Sequence, residues 1–212
     1  RAQADLELGR LAEAARINQR TSGTSAALPV RRLSGAIRID GALDEDAWRS
    51  APLISGFLDM KTKGEAAEET RVRVLYDDDC FYIGIDAMTE HAWGPLVTHV
   101  KTRDGAVWQD DSVEIFLVPP GKDYFHWIVN SAGAFYDAKT RNISFDSKAE
   151  VKTRVGKDRY TVEMRIPVKP LGVSKISEGE LWKMHFTREC RNLQPPNSSA
   201  GSSIDGVPPH EE

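Results

Sequence analysis

The strictest constraint in this chain is a two-residue alternation of apolar and polar side chains. In "RYTVEMRIPV" (residues 159–168), Tyr160, Val162, Met164 and Ile166 share one face, and Arg159, Thr161, Glu163 and Arg165 take the other. Side chains alternate across a strand with a period of two, so a run like this suits a sheet with one buried and one wet face, and no helix satisfies it. The pattern recurs in "RVRVLY" (71–76), "CFYIGIDAM" (80–88), "SVEIFLV" (112–118) and "LWKMHFTREC" (181–190). Between the runs lie turn-forming stretches such as "YDDDC", "PPGKD", "SAGA", "VGKDR" and "SEGE", which suit short antiparallel connections. The reading is an all-β fold, a two-sheet antiparallel β-sandwich of the jelly-roll or immunoglobulin-like kind.

Two segments depart from the pattern. Residues 3–19 carry Leu6, Leu8, Leu11, Ala14, Ala15 and Ile17 at helical spacing without a proline, which predicts a short N-terminal helix. The small, polar stretch "RTSGTSAALPV" follows, so residues 1–30 read as the end of an upstream domain plus a linker and residues 31–212 as the sandwich. The opening "RAQADLELGR" lacks both an initiator Met and the apolar stretch of a signal peptide, and reads as a fragment or a processed form. The second departure is "DEDAWRSA" (44–51), a one-turn helix with Asp44 as its N-cap and Trp48 as a plug against the sandwich.

Charge and motifs narrow the function. A net charge of −4 offers no electrostatic footprint for nucleic acid, and no apolar run approaches the length of a membrane span. There is no phosphate-binding loop, nucleophile elbow, His-Glu-x-x-His or paired-cysteine cluster, so the chain does not read as an enzyme. Cys80 and Cys190 allow one disulfide or two free buried thiols. Asp40 and Asp44 surround a turn, and hard oxygen ligands so placed suit a structural calcium ion; the other reading makes them turn and cap residues.

The stretch "VWQDDSVEIFLVPP" sharpens the question, because Trp108 at a strand entrance is either a core plug or an exposed stacking surface. Taken with "IDGALDEDAW", "VRVLYDDDCFYIGIDA", "FHWIVNSAGAFYD" and "YTVEMRIPVKPLG…GELWKMHFTREC", it resembles the family 9 carbohydrate-binding modules, within a DOMON-like group of sandwiches, from about residue 35 to residue 191. Trp108, Asp111, Val113, Glu114 and Phe116 match the family's W-x-x-D-x-V-E-x-F pattern. The resemblance implies that Trp108 stacks on a sugar ring and that Asp111, Glu114, Asn130 and Arg188 complete a carbohydrate-binding site. It also implies a non-catalytic module, covalently linked to a glycoside-active enzyme and secreted or held at the bacterial envelope, that targets its enzyme to polysaccharide. An indole covers the apolar face of a hexose, and carboxylate, amide and guanidinium groups suit its hydroxyl rim.

The chain also departs from the family. The second tryptophan that clamps the ring should follow Arg188, but residues 189–212 contain no aromatic residue, and Trp93, Trp127 and Tyr136 are the substitutes on offer. The final strand is absent by the same reading, which makes the sandwich truncated at its C-terminus. Two alternatives remain: a haem b electron-transfer domain of the DOMON-like group, with Met88, His91, His99, Met184 and His185 as axial candidates, and a structural domain that has lost its ligand.

Overall fold

The computed structural model describes residues 28–91 and 94–200. The helix expected over residues 3–19, Trp93 and the chain after residue 200 lie outside them.

The alternating runs build two facing six-stranded sheets. Sheet A is formed by β1 (Arg31–Arg32), β2 (Leu53–Ile54), β4 (Thr70–Tyr76), β5 (Cys80–Met88), β9 (Glu150–Val155) and β10 (Arg159–Pro167), in the order β1-β4-β5-β10-β9 with β2 also on β4. Sheet B is formed by β3 (Leu58–Asp59), β6 (Ser112–Val118), β7 (Phe125–Asn130), β8 (Phe135–Lys139), β11 (Lys183–Cys190) and β12 (Asn197–Ala200), in the order β3-β12-β11-β6-β7-β8. The pairings are antiparallel apart from the two-residue contact of β1 with β4. The β12 strand corrects the expectation of a missing final strand: it pairs with both β11 and β3.

The core lies between the sheets and holds the residues that the alternation assigns to it. Val72, Val74, Phe81, Ile83, Ile85, Tyr160, Val162, Met164 and Ile166 come from sheet A. Val113, Ile115, Leu117, Phe125, Trp127, Val129 and Phe186 come from sheet B.

Part of the outer face of sheet A is covered, which the simple alternation does not show, while Arg71, Arg73, Arg159 and Arg165 keep some exposure. Helix α1 (Asp46–Ser50) and the strandless segment before it lie across this face, and Trp48 packs there with Leu75, Cys80, Tyr82 and Leu43. Gly84 makes room: a Cβ there would stand 2.8 Å from the Leu43 Cδ2 and 3.2 Å from the Trp48 ring. Glu163, assigned to the wet face by parity, is fully buried and binds the overlying segment. It accepts hydrogen bonds from Asp40 N at 2.8 Å, Gly41 N at 2.7 Å and Trp48 Nε1 at 3.0 Å. Burial raises its pKa while these three N–H donors pull it down. Trp48 is therefore the plug that the sequence predicts, but Asp44 is not the cap. Glu45 occupies the N-cap position, with no side-chain capping bond.

Candidate functional site

Strand register sets out the outer face of sheet B residue by residue. Thr187, Glu114, Ile128 and Tyr136 form one row across β11, β6, β7 and β8. His185, Phe116, His126 and Ala138 form the next. Their neighbours along each strand point into the core, so these side chains must point out. The rows pack tightly on one another. The Phe116 and His126 rings stack at 4.0 Å with an interplanar angle of 9°, and His185 tilts against Phe116 at 5.8 Å. His126 Nε2 lies 3.0 Å from Glu114 Oε2. Glu114 is only 1% exposed, and its carboxylate is held in this pair at the floor of the face.

Trp108 stands at the edge of this floor. It lies in a 3-10 turn, Val107–Gln109, in which Val107 is buried and the indole is left 42% exposed. Its ring meets Tyr136 edge to face, with centroids 6.2 Å apart and planes at 85°. Its carbonyl accepts from Arg191 Nη2 at 3.1 Å, which ties the turn to the loop after β11. That loop borders an open cleft of ≈ 450 Å³ whose lining includes Gly94, Pro95, Arg191, Leu193 and Pro196. Of the stretch after Arg188, which holds no aromatic residue, Leu193 and Pro196 line this cleft.

The two aspartates after Trp108 organise backbone. Asp110 Oδ1 accepts from His99 N at 2.9 Å, and its Oδ2 accepts from Val100 N at 2.9 Å and from Asn130 Nδ2 at 2.8 Å. Asp111 accepts from Val97 N at 2.6 Å, Arg191 N at 2.8 Å and Asn192 N at 3.3 Å. Burial pushes the Asp111 carboxyl up, and those N–H groups oppose the shift. The acidic pair thus fastens two loops to the entrance of β6 and holds the turn that presents Trp108.

The expected site residues therefore separate into two groups. Trp108 and Glu114 share the outer face. Asp111 and Asn130 are fully buried and committed to loop backbone, Asn130 through Val100 O at 2.8 Å and the Ala132 and Ala134 amides at 3.1 and 2.9 Å. Arg188 points into the core. It is 0% exposed, donates to Met88 O at 2.6 Å, Glu69 O at 3.1 Å and Thr70 Oγ1 at 3.4 Å, and stacks over Tyr160. These placements correct the expectation that Asp111, Asn130 and Arg188 face a ligand: side chains this deeply enclosed and bonded have no surface to offer one. Trp127 is a core residue as parity predicts, donating to Ser147 Oγ at 2.9 Å. Missed at the sequence level were His126 and Phe116 as parts of the face. Their two-residue offsets from Ile128 and Glu114 carried that signal.

Asp40, expected with Asp44 to hold calcium, is engaged by protein groups. Asp40 is paired with Arg38, accepts from Ala42 N at 3.0 Å and lies 3.9 Å from Arg154. Two guanidinium groups oppose a further cation. Among the described residues no group of three or more His, Cys, Asp or Glu is arranged to hold a metal ion. The haem candidates are scattered. Alternation puts Met88 on the outer face of sheet A, Met184 packs against the core and His185 is on the outer face of sheet B. His91 and His99 sit beside Glu68 and Asp110, at 3.7 Å in each case. This spread gives the haem reading no support.

Comparison with known proteins points in one direction. The family model described as "Carbohydrate family 9 binding domain-like" matches residues 39–188. Among solved structures, the fold is similar to a family 9 carbohydrate-binding module from Caldicellulosiruptor kristjanssonii in complex with glucose. The TM-score is 0.61 at 20% identity, covering 84% of this chain and 87% of that one. A family 9 module from the same organism in complex with cellotriose gives a TM-score of 0.59 at 18% identity, covering 86% and 99%. No curated protein matches the sequence.

Proposed function

Since the chain belongs to the carbohydrate family 9 binding domain-like proteins, we propose that it binds a saccharide on the outer face of sheet B, without catalysing a reaction. The observation that carries this reading is Trp108, a large apolar ring left 42% exposed and held by a buried hydrogen-bond network instead of being packed away. An exposed indole is a stacking surface for the apolar face of a pyranose. The Glu114–His126 pair lies beneath the same face, buried, and holds the floor under the indole together. The ligands of the two similar modules make glucose and cellotriose the first probes.

The wider role in this proposal is that of an accessory module: covalently joined to a glycoside-active enzyme, outside the cytoplasm or in the cell envelope, it keeps that enzyme near polysaccharide. Titration calorimetry and affinity electrophoresis against glucose, cellotriose and a panel of soluble polysaccharides test the binding. Saturable binding that Trp108→Ala removes, with an unchanged melting temperature, supports the site. Absence of binding across the panel by the folded protein would sink the reading.

A further inference from the structure

Tyr136 is the second aromatic ring at Trp108, and its geometry defines what kind of contact it can make. It sits on β8 in the same row as Glu114, two strands away, or about 10 Å by ordinary strand spacing. Its ring is perpendicular to the indole at 85° and also meets His126 edge-on at 5.7 Å. The ring is partly buried, yet the phenol has no hydrogen-bond partner among the described residues. Burial raises the phenol pKa, so the group keeps its proton at neutral pH and can donate as well as accept.

We propose that Tyr136 is a specificity-determining contact of the saccharide site, forming with Trp108 a right-angled corner in which the indole takes one face of a pyranose and the phenol hydroxyl bonds to the ring's edge. This rests on the saccharide reading and extends it to a ligand class. Equatorial hydroxyls project in the plane of a pyranose, so a ring lying flat on Trp108 aims them at a wall standing perpendicular to it. An axial hydroxyl projects along the ring normal and misses that wall. The corner therefore favours pyranoses whose recognised edge carries equatorial hydroxyls. It also leaves the second face of the ring uncovered, unlike a clamp between two parallel rings.

The test is calorimetry of the wild type, Trp108→Ala and Tyr136→Phe with glucose, its 2-epimer mannose, its 4-epimer galactose, and cellotriose. Tyr136→Phe keeps the ring and removes an unpartnered hydroxyl, so its melting temperature should match the wild type. Its affinity for the preferred sugar should fall about 3- to 10-fold, the value of one neutral hydrogen bond. The ratio between glucose and the disfavoured epimer should shrink in proportion. If Trp108→Ala abolishes binding while Tyr136→Phe keeps both the affinity and the epimer ratio of the wild type, Tyr136 only packs and this inference is wrong. If the wild type binds none of the four sugars nor any of the polysaccharide panel, the saccharide reading itself fails and takes this one with it.

Discussion

The indole N–H of Trp48 donates to Glu163 Oε1 at 3.0 Å, and the other oxygen of the same carboxylate receives the backbone N–H groups of Asp40 and Gly41. One buried side chain on β10 thereby fixes the whole segment that covers sheet A. Glu163→Ala leaves three enclosed donors unsatisfied and is expected to cost about 3 kcal/mol or more. Trp48→Ala empties a buried site and is expected to cost about 3–5 kcal/mol. Because the two share a hydrogen bond, the double variant should lose less than the sum. Urea melts of the four proteins check this; strictly additive losses would show that the contact contributes nothing of its own.

Arg188 ties the sheets together from inside, through the carbonyls of Met88 and Glu69. Arg188→Met fills similar volume but strands both carbonyls. The expected loss is about 2–4 kcal/mol, in the range of charge-assisted hydrogen bonds broken in a core. Saccharide affinity, measured well below the lowered melting temperature, should stay at the wild-type value. A variant of normal stability with weakened binding would return Arg188 to the ligand.

Parity explains both what the sequence reveals here and what it hides. Strand boundaries, the core list and the Trp48 plug are legible because a two-residue period is strict and a turn residue marks each end. The same rule places Arg188 inward, two positions after Phe186, and places Glu114 outward between Val113 and Ile115. Family resemblance names both for one site, whereas register puts them on opposite faces of sheet B. Burial by a distant segment is what a local period cannot show. Glu163 reads as wet because nothing in β10 announces that residues 39–48 will lie over it. Likewise Asp111 and Asn130 read as ligand chemistry because a polar side chain that fastens loop backbone has the same sequence as one that binds a hydroxyl.

Both thiols should be inert in the folded protein. Cys80 and Cys190 are free and buried, and burial raises both pKa values, that of Cys190 to about 11. Since the thiolate is the reactive form, neither should react with Ellman's reagent at pH 8, and two equivalents should react in denaturant. Rapid labelling under native conditions would mean that the Trp48 layer or the β11–β12 edge opens readily.

Protonation of His185 should couple stability to mild acid. Its imidazole packs against Phe116 on the outer face of sheet B, and burial lowers its pKa from 6.5 to about 4, with Glu114 pulling weakly the other way. Between those two values the unfolded chain binds a proton that the folded chain does not, so stability rises with pH across the window. The contribution is complete above about pH 6.5 and is lost progressively as pH falls toward about 4, up to about 3 kcal/mol in all. Asp111 and Glu163 act with the opposite sign. Their raised pKa values make the folded state take up protons first as pH falls, which favours folding in acid. The His185 contribution is therefore read from the difference between the wild type and His185→Gln, measured by urea melts at half-unit steps from pH 4 to pH 7. The variant should gain on the wild type steadily as pH drops below 6.5. Two curves that run parallel throughout would show that His185 takes its proton without leaving the fold.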